Sequence, residues 1–262
     1  MYKVTIKLRG IEQVLEGTVE KSGTVEIQGI EYEVDTLPVD VPISGTLYGT
    51  LLNYKGAYEA LLPEMTKEPY KNEPKAPILY IKPKNTFISY GKPIPLPEHE
   101  EELEMGAALG IVIGKTAKKV SEQDALDYVY GYTVVNDVSI PHESVHRPAV
   151  KEKARDGFCP VGPWITLKDS VQDPNDLHIK VSINGDVVQE NSTRNLIRPV
   201  EKLLANVTEF MTLYKGDVLL VGVPENAPLA KENDHVKIEI EGVGILENRV
   251  IPERVVIGGK MI

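Results

Sequence analysis

The residues best equipped for chemistry gather in one stretch. Asp137, His142, Glu143, His146 and Arg147 fall within eleven positions, and Lys153 and Arg155 follow closely. Imidazoles exchange protons near neutral pH. Guanidinium groups grip carboxylates bidentately, so Arg147 and Arg155 are read as clamps for an acidic substrate. No zinc is assigned to His142, Glu143 and His146, and the stretch reads as a surface loop bearing solvated imidazoles. Cys159, between Phe158 and Pro160, has no nucleophile signature around it and reads as a buried structural thiol. No glycine-rich dinucleotide fingerprint or phosphate loop is present.

These groups need a scaffold, and the composition bounds it. The 262 residues carry 29 Lys+Arg against 39 Asp+Glu, a net charge of −10. That balance argues against a nucleic-acid partner, because phosphate neutralisation needs a basic surface. No apolar run reaches the roughly 20 residues of a membrane span, and the start, MYKVTIKLRG, lacks a signal-peptide core. A single cysteine suits the reducing cytoplasm.

Strand signals dominate the pattern. Val4, Ile6 and Leu8 alternate with polar residues, and the echo of Gly17-Thr18-Val19-Glu20 in Gly23-Thr24-Val25-Glu26 predicts a hairpin. Leu109–Gly114 is a continuous apolar run suited to a strand covered on both faces. Asn184-Gly185 between apolar runs predicts a second hairpin. Pro199 opens a helix striped by Val200, Leu203, Leu204, Val207 and Phe210–Met211. Ser121 and Asp124 suggest a capping box before a short helix through Val129. The stretch Pro63–Pro77 reads as an extended loop. The sum is a β-rich mixed α+β fold, with a small N-terminal region over 1–45 and a main domain over 46–262.

Three strings narrow the reading. They are Gly131–Ser139, Lys153–Trp164 and Lys215–Pro224, joined by Val112-Ile113-Gly114-Lys115 and Glu241–Asn248. In this order and spacing the chain resembles the fumarylacetoacetate hydrolase family, which implies that family's β-roll. The segments Tyr48–Tyr54 and Met105–Gly114 resemble its isomerase/decarboxylase branch in 4-hydroxyphenylacetate (homoprotocatechuate) breakdown. There, two such halves occur fused or as separate subunits. The resemblance implies dicarboxylate substrates, 5-carboxymethyl-2-oxo-hex-3-ene-1,7-dioate and 2-hydroxyhepta-2,4-diene-1,7-dioate.

The resemblance also implies a divalent cation, Mg²⁺ or Mn²⁺, held by a Glu-x-Glu pair and a downstream Asp. The pair falls here on Gly106 and Ala108, so only Asp137 of the three ligands is present. The acids Glu100, Glu101, Glu102 and Glu104 read as a solvated loop, since bringing Glu104 to position 106 needs a shift of about 7 Å along a strand. The histidine of the hydrolases' Asn-Tyr-x-x-His is Ala57. Lys153 is therefore expected to stabilise the developing enolate, with Asp137 as general base or as the group that orients it. His142, a departure from the hydrolases, is expected as an acid/base, and Lys82 joins Arg147 and Arg155 in a positive pocket for the diacid. The alternatives are a non-catalytic half that assembles with a metal-bearing paralogue, and an acylpyruvate-type hydrolase. The expected partners are the small dicarboxylate and a second subunit, identical or paralogous.

Overall fold

The computed structural model describes residues 1–21, 23–142 and 148–256. In chain order its strands are β1 Tyr2–Ile6, β2 Leu15–Val19, β3 Thr24–Ile27, β4 Ile30–Glu33, β5 Leu47–Leu51, β6 Ile78–Lys82, β7 Phe87–Ile88, β8 Ile94–Leu96, β9 Glu102–Glu104, β10 Ala107–Ile113, β11 Val129–Asn136, β12 Cys159–Leu167, β13 His178–Ile183, β14 Asp186–Ser192, β15 Val218–Leu220, β16 Leu229–Lys231, β17 His235–Ile240 and β18 Gly244–Pro252. The helices are α1 Lys55–Met65, α2 Val150–Lys153, α3 Val200–Phe210 and α4 Glu253–Val256. None is long and apolar enough to cross a membrane.

Among the described residues the strands form one large sheet in the order β4-β3-β2-β1-β12-β11-β10-β15-β5-β6, with β7 beside β12. A second sheet runs β14-β13-β17-β18-β8, and β16 pairs with β9. The apolar run of the sequence becomes β10, buried along its whole length between β11 and β15. The alternation of Val236, Ile238 and Ile240 becomes β17, buried at every second residue. Asn184 and Gly185 both have positive φ, 54° and 94°, as a tight β13–β14 turn requires.

Several motifs turn out to be structural joints. Asp217 accepts hydrogen bonds from the Thr46 and Tyr214 N–H groups at 2.8 Å each, which locks the entry of β15 to the entry of β5. Asn53 donates to the Val221 and Arg198 carbonyls and accepts from the Arg198 N–H, tying the end of β5 to the stretch before α3. The Val243 carbonyl accepts from both Trp164 Nε1 and Thr166 Oγ1, which pins the second sheet to β12.

Three sequence expectations are corrected. Lys55–Met65 is a helix, α1, with Pro63 inside it, so the loop begins only after Met65. Ser121 and Asp124 do exchange hydrogen bonds, Ser121 Oγ to Asp124 Oδ2 and Asp124 N–H to Ser121 Oγ, but they precede only a 3-10 turn at Ala125–Tyr128, because β11 begins at Val129. Pro199 is the residue before α3, and Phe210 at its far end points to solvent, 62% exposed.

Candidate active site

β6 is the sheet's edge strand, and its alternation sends Tyr80 and Lys82 to the same face. Opposite them on β5 stand Gly49 and Leu47. Gly49 is required there: a Cβ at this position would lie 2.0 Å from Tyr80 Cζ. Tyr80 therefore lies flat over the β5 backbone and reaches the end of β11, where Asp137 begins the next segment. The Asp137 N–H donates to the Gly106 carbonyl at 2.8 Å, which continues the β10–β11 pairing by one rung. Glu104 and Ser139 make the next rung, each N–H donating to the other's carbonyl, at 2.9 and 3.2 Å.

Asp137 is the centre of the site. Its side chain is shut off from solvent, with Lys82 Nζ 2.9 Å from Oδ1 and Lys153 Nζ 2.9 Å from Oδ2. The Tyr80 hydroxyl donates a short hydrogen bond to Oδ2. Burial would raise the Asp137 pKa, but the two ammonium charges and the hydrogen bonds from Tyr80 and Lys153 outweigh it and hold the carboxyl well below its usual range. Burial, reinforced by Asp137, pushes the Tyr80 phenol well up, so it stays a proton donor. Lys82 is pulled down by burial and supported against that by Asp137. Burial also lifts the Cys159 thiol to about 12, which keeps it an inert neutral wall residue.

The two lysines differ in what they can touch. Lys82 Nζ donates to the Val138 carbonyl at 2.9 Å and the Lys153 carbonyl at 2.7 Å, and it makes an ion pair with Asp137 Oδ1. It does not face the cavity, which corrects its expected place in a substrate pocket; it holds Asp137 and the end of α2. Lys153, at 14% side-chain exposure, gives one bond to Asp137 among the described residues and lines the cavity, with its ammonium 5.1 Å from the Tyr80 ring centre. Counted at formal charge, two ammonium groups face one carboxylate, and the surplus cation is the one at the cavity.

That cavity, about 210 Å³, is lined by Tyr80, Glu104, Asp137, Ser139, His142 and Lys153 together with the apolar Leu51, Ala57 and Val223. An apolar groove of about 560 Å³ adjoins it and shares Tyr80, His142 and Lys153. His142 Nδ1 lies 2.9 Å from the Ile140 carbonyl. A carbonyl only accepts, so Nδ1 is the donor in this contact. Arg155 lies elsewhere, lining a separate cavity with His99, Lys151 and Arg254, 4.0 Å from Glu253. Arg147 lies outside the described residues. His142, Glu143, Ser144, Val145 and His146 spell His-Glu-x-x-His, the spacing of a zinc helix. Of these residues His142 is described, in irregular chain, and the other four lie outside the described residues.

The donor set also fails to fit the divalent cation that the sequence resemblance implies. A hard cation needs several oxygen ligands. A Cβ at Gly106 would lie 2.5 Å from the Asp137 carbonyl oxygen, so no ligand side chain fits there. Ala108 packs among Leu47, Val112 and Val135, and each Asp137 oxygen already faces a lysine ammonium at 2.9 Å. Among the described residues no group of three His, Cys, Asp or Glu side chains could hold a metal ion.

Sequence reasoning passed over Tyr80 and set Glu104 aside. Tyr80 had a signal: it stands two residues before Lys82 in a strand. Glu104 had none, because the rung that pairs it with Ser139 lies beyond β10.

The fumarylacetoacetate (FAA) hydrolase C-terminal family model matches residues 46–251. Over 212 residues the chain is 41% identical to the 4-hydroxyphenylacetate degradation bifunctional isomerase/decarboxylase of Escherichia coli, covering 81% of this chain and 48% of that protein. The chain thus spans about half the length of the curated isomerase/decarboxylases it matches. The crystal structure of 5-carboxymethyl-2-hydroxymuconate delta-isomerase from Mycobacterium smegmatis superposes with a TM-score of 0.77 at 28% identity, covering 96% of this chain and 99% of that one. That of 2-hydroxyhepta-2,4-diene-1,7-dioate isomerase from Mycobacterium marinum gives 0.74 at 27% identity, over 99% and 100%.

Proposed function

The chain belongs to the fumarylacetoacetate hydrolase family, and from that premise we propose that it is an isomerase/decarboxylase subunit for 2-oxo and 2-hydroxydiene dicarboxylates, with the Lys153 ammonium as the charge that holds the enolate. The observation behind this reading is the pairing of Lys82 and Lys153 with one buried carboxylate, which leaves Lys153 as a cation at the cavity wall.

Both reactions converge on one species. Loss of CO₂ from the γ-carbon of a 2-oxo-3-ene acid leaves an electron pair that runs through the conjugated carbons to the C2 oxygen. Removal of the enol proton from the 2-hydroxy-2,4-diene gives the same dienolate. Its charge sits on oxygen, and one N–H donor aimed at such an oxygen in a water-poor site is worth roughly 3–4 kcal/mol. Asp137 fixes the Lys153 ammonium in place, and Tyr80 and Lys82 fix Asp137. The adjoining apolar groove offers room for the carbon chain.

A second reading is a non-catalytic half assembled with a metal-bearing paralogue. It is favoured by the missing acids at Gly106 and Ala108 and by the half-length match to the double-length relatives. Assay of the purified chain alone on 2-hydroxyhepta-2,4-diene-1,7-dioate separates the two: turnover supports the enzyme, and activity only after mixing with such a paralogue supports the partner.

A further inference from the structure

The reading above leaves one task to assign, for which the cavity offers Glu104 and His142. Turning the 2-hydroxy-2,4-diene into the 2-oxo-3-ene places a proton on C5, three carbon–carbon bonds from the charged oxygen's carbon. Asp137 cannot carry it, since both of its oxygens face ammonium or phenol donors and it is held ionised. Lys153 is the anchor for the oxygen.

We propose that Glu104 is the catalytic carboxylate that moves the carbon-bound proton, an inference that rests on the isomerase/decarboxylase reading. Glu104 lines the same cavity as Lys153 and Asp137. Ser139 Oγ donates to Glu104 Oε2 at 2.9 Å, which orients the carboxylate, and the reciprocal backbone pairing with Ser139 fixes its base. Among the described residues Glu104 has no ion-pair partner, so its second oxygen is free to act. The register places it one rung pair from Asp137: Gly106 pairs with Asp137, and Glu104 with Ser139. That is about 7 Å along the strand, and Gly106 lines the same cavity. A conjugated chain spanning that distance in the cavity has its oxygen at Lys153 and its γ-carbon toward Glu104.

The step balances. In the dienol-to-enone direction the O2–H proton leaves to water, the electron pair moves through C2–C3 and C3–C4 to form the C5–H bond, and Glu104 supplies the proton and is reprotonated by water. The reverse runs over the same atoms. Loss of CO₂ needs only the electron sink at Lys153, so Glu104 serves the proton shift and is not needed for decarboxylation.

The test is Glu104→Gln, which keeps an acceptor for Ser139, with Glu104→Asp as the variant that keeps the acid. Two rates are measured on the full chain: CO₂ release from 5-carboxymethyl-2-oxo-hex-3-ene-1,7-dioate, and conversion of 2-hydroxyhepta-2,4-diene-1,7-dioate with deuterium uptake at C5 from D₂O. Conversion and uptake should fall about a hundredfold or more in Glu104→Gln and partly recover in Glu104→Asp, with CO₂ release falling at least about tenfold less than conversion does. Undiminished deuterium uptake in Glu104→Gln overturns the proposal. So does an equal loss of both rates, which would mark a structural role, or a selective loss in His142→Gln with none in Glu104→Gln. Wild-type protein inert toward both substrates overturns instead the reading on which the proposal rests, and the proposal with it.

Discussion

Lys82 and Asp137 form an ion pair of 2.9 Å in which neither side chain reaches solvent. Such a pair is costly to assemble, since both charges leave water, and costlier to break, since one is then left unmatched. It stays charged because Lys153 and Tyr80 complete the shell on Asp137 and two carbonyls complete the shell on Lys82. Asp137 lines the cavity with Lys82 behind it, and the Lys153 ammonium stands beside Asp137 at the cavity wall.

Replacing Lys82 by Met keeps an unbranched side chain one atom shorter and removes the charge. The Val138 and Lys153 carbonyls then lose their donor, and Asp137 loses one of its two cations. Urea unfolding should show a loss of about 3–5 kcal/mol. A loss below about 1 kcal/mol would mean that the pair contributes little to the fold.

Asp137→Asn tests the same shell through pH. The folded pKa of Asp137 is depressed, so its stabilising contribution is complete above the unfolded carboxylate value of about 3.9 and fades as pH falls toward the lower folded value. The gap in melting temperature between wild type and Asp137→Asn should be flat from pH 5 to 8 and narrow below about pH 4. A gap that widens in acid would contradict the sign.

Gly49→Ala addresses Tyr80. The new methyl would occupy the ring's position, so the phenol must leave Asp137. A loss of about 1–3 kcal/mol is expected from the overpacking. In a Tyr80→Ala background, where the space is free, the same change should cost under about 1 kcal/mol, as a double-mutant cycle would read.

How much of this was legible beforehand follows from the range of each contact. β10 and the Asn184-Gly185 hairpin were readable because a run of apolar residues and a turn dipeptide are local signals. α1 was not, because Gly56 and Pro63 lower its helix propensity and only Met65 of its residues is buried, so no clear stripe marks it. Asp137, Lys153 and His142 were legible as a short polar stretch. Their convergence with Lys82 and Tyr80 was not: Lys82 and Lys153 stand 71 residues apart and meet only when β6 becomes the sheet edge beside the end of β11. Arg155 reads like a neighbour of Lys153 in the sequence, yet the turn after α2 carries it to another cavity.

Gly106→Glu asks whether the cation site implied by the family resemblance can be rebuilt by one substitution. The side chain has no room beside the Asp137 carbonyl. The variant should be destabilised by at least about 1–3 kcal/mol, and added Mn²⁺ should not raise its melting temperature. A Mn²⁺-dependent rise of several degrees would show that the strand can make room for a ligand.

The central claim is that Lys153 supplies the charge that holds the dienolate. The most direct measurement is turnover of 2-hydroxyhepta-2,4-diene-1,7-dioate by the purified chain in the presence of a chelator, wild type against Lys153→Ala. Wild type should turn over undiminished by the chelator, and Lys153→Ala should be about a hundredfold slower in kcat. Equal rates in the two proteins, or a wild type silenced by the chelator, would contradict it.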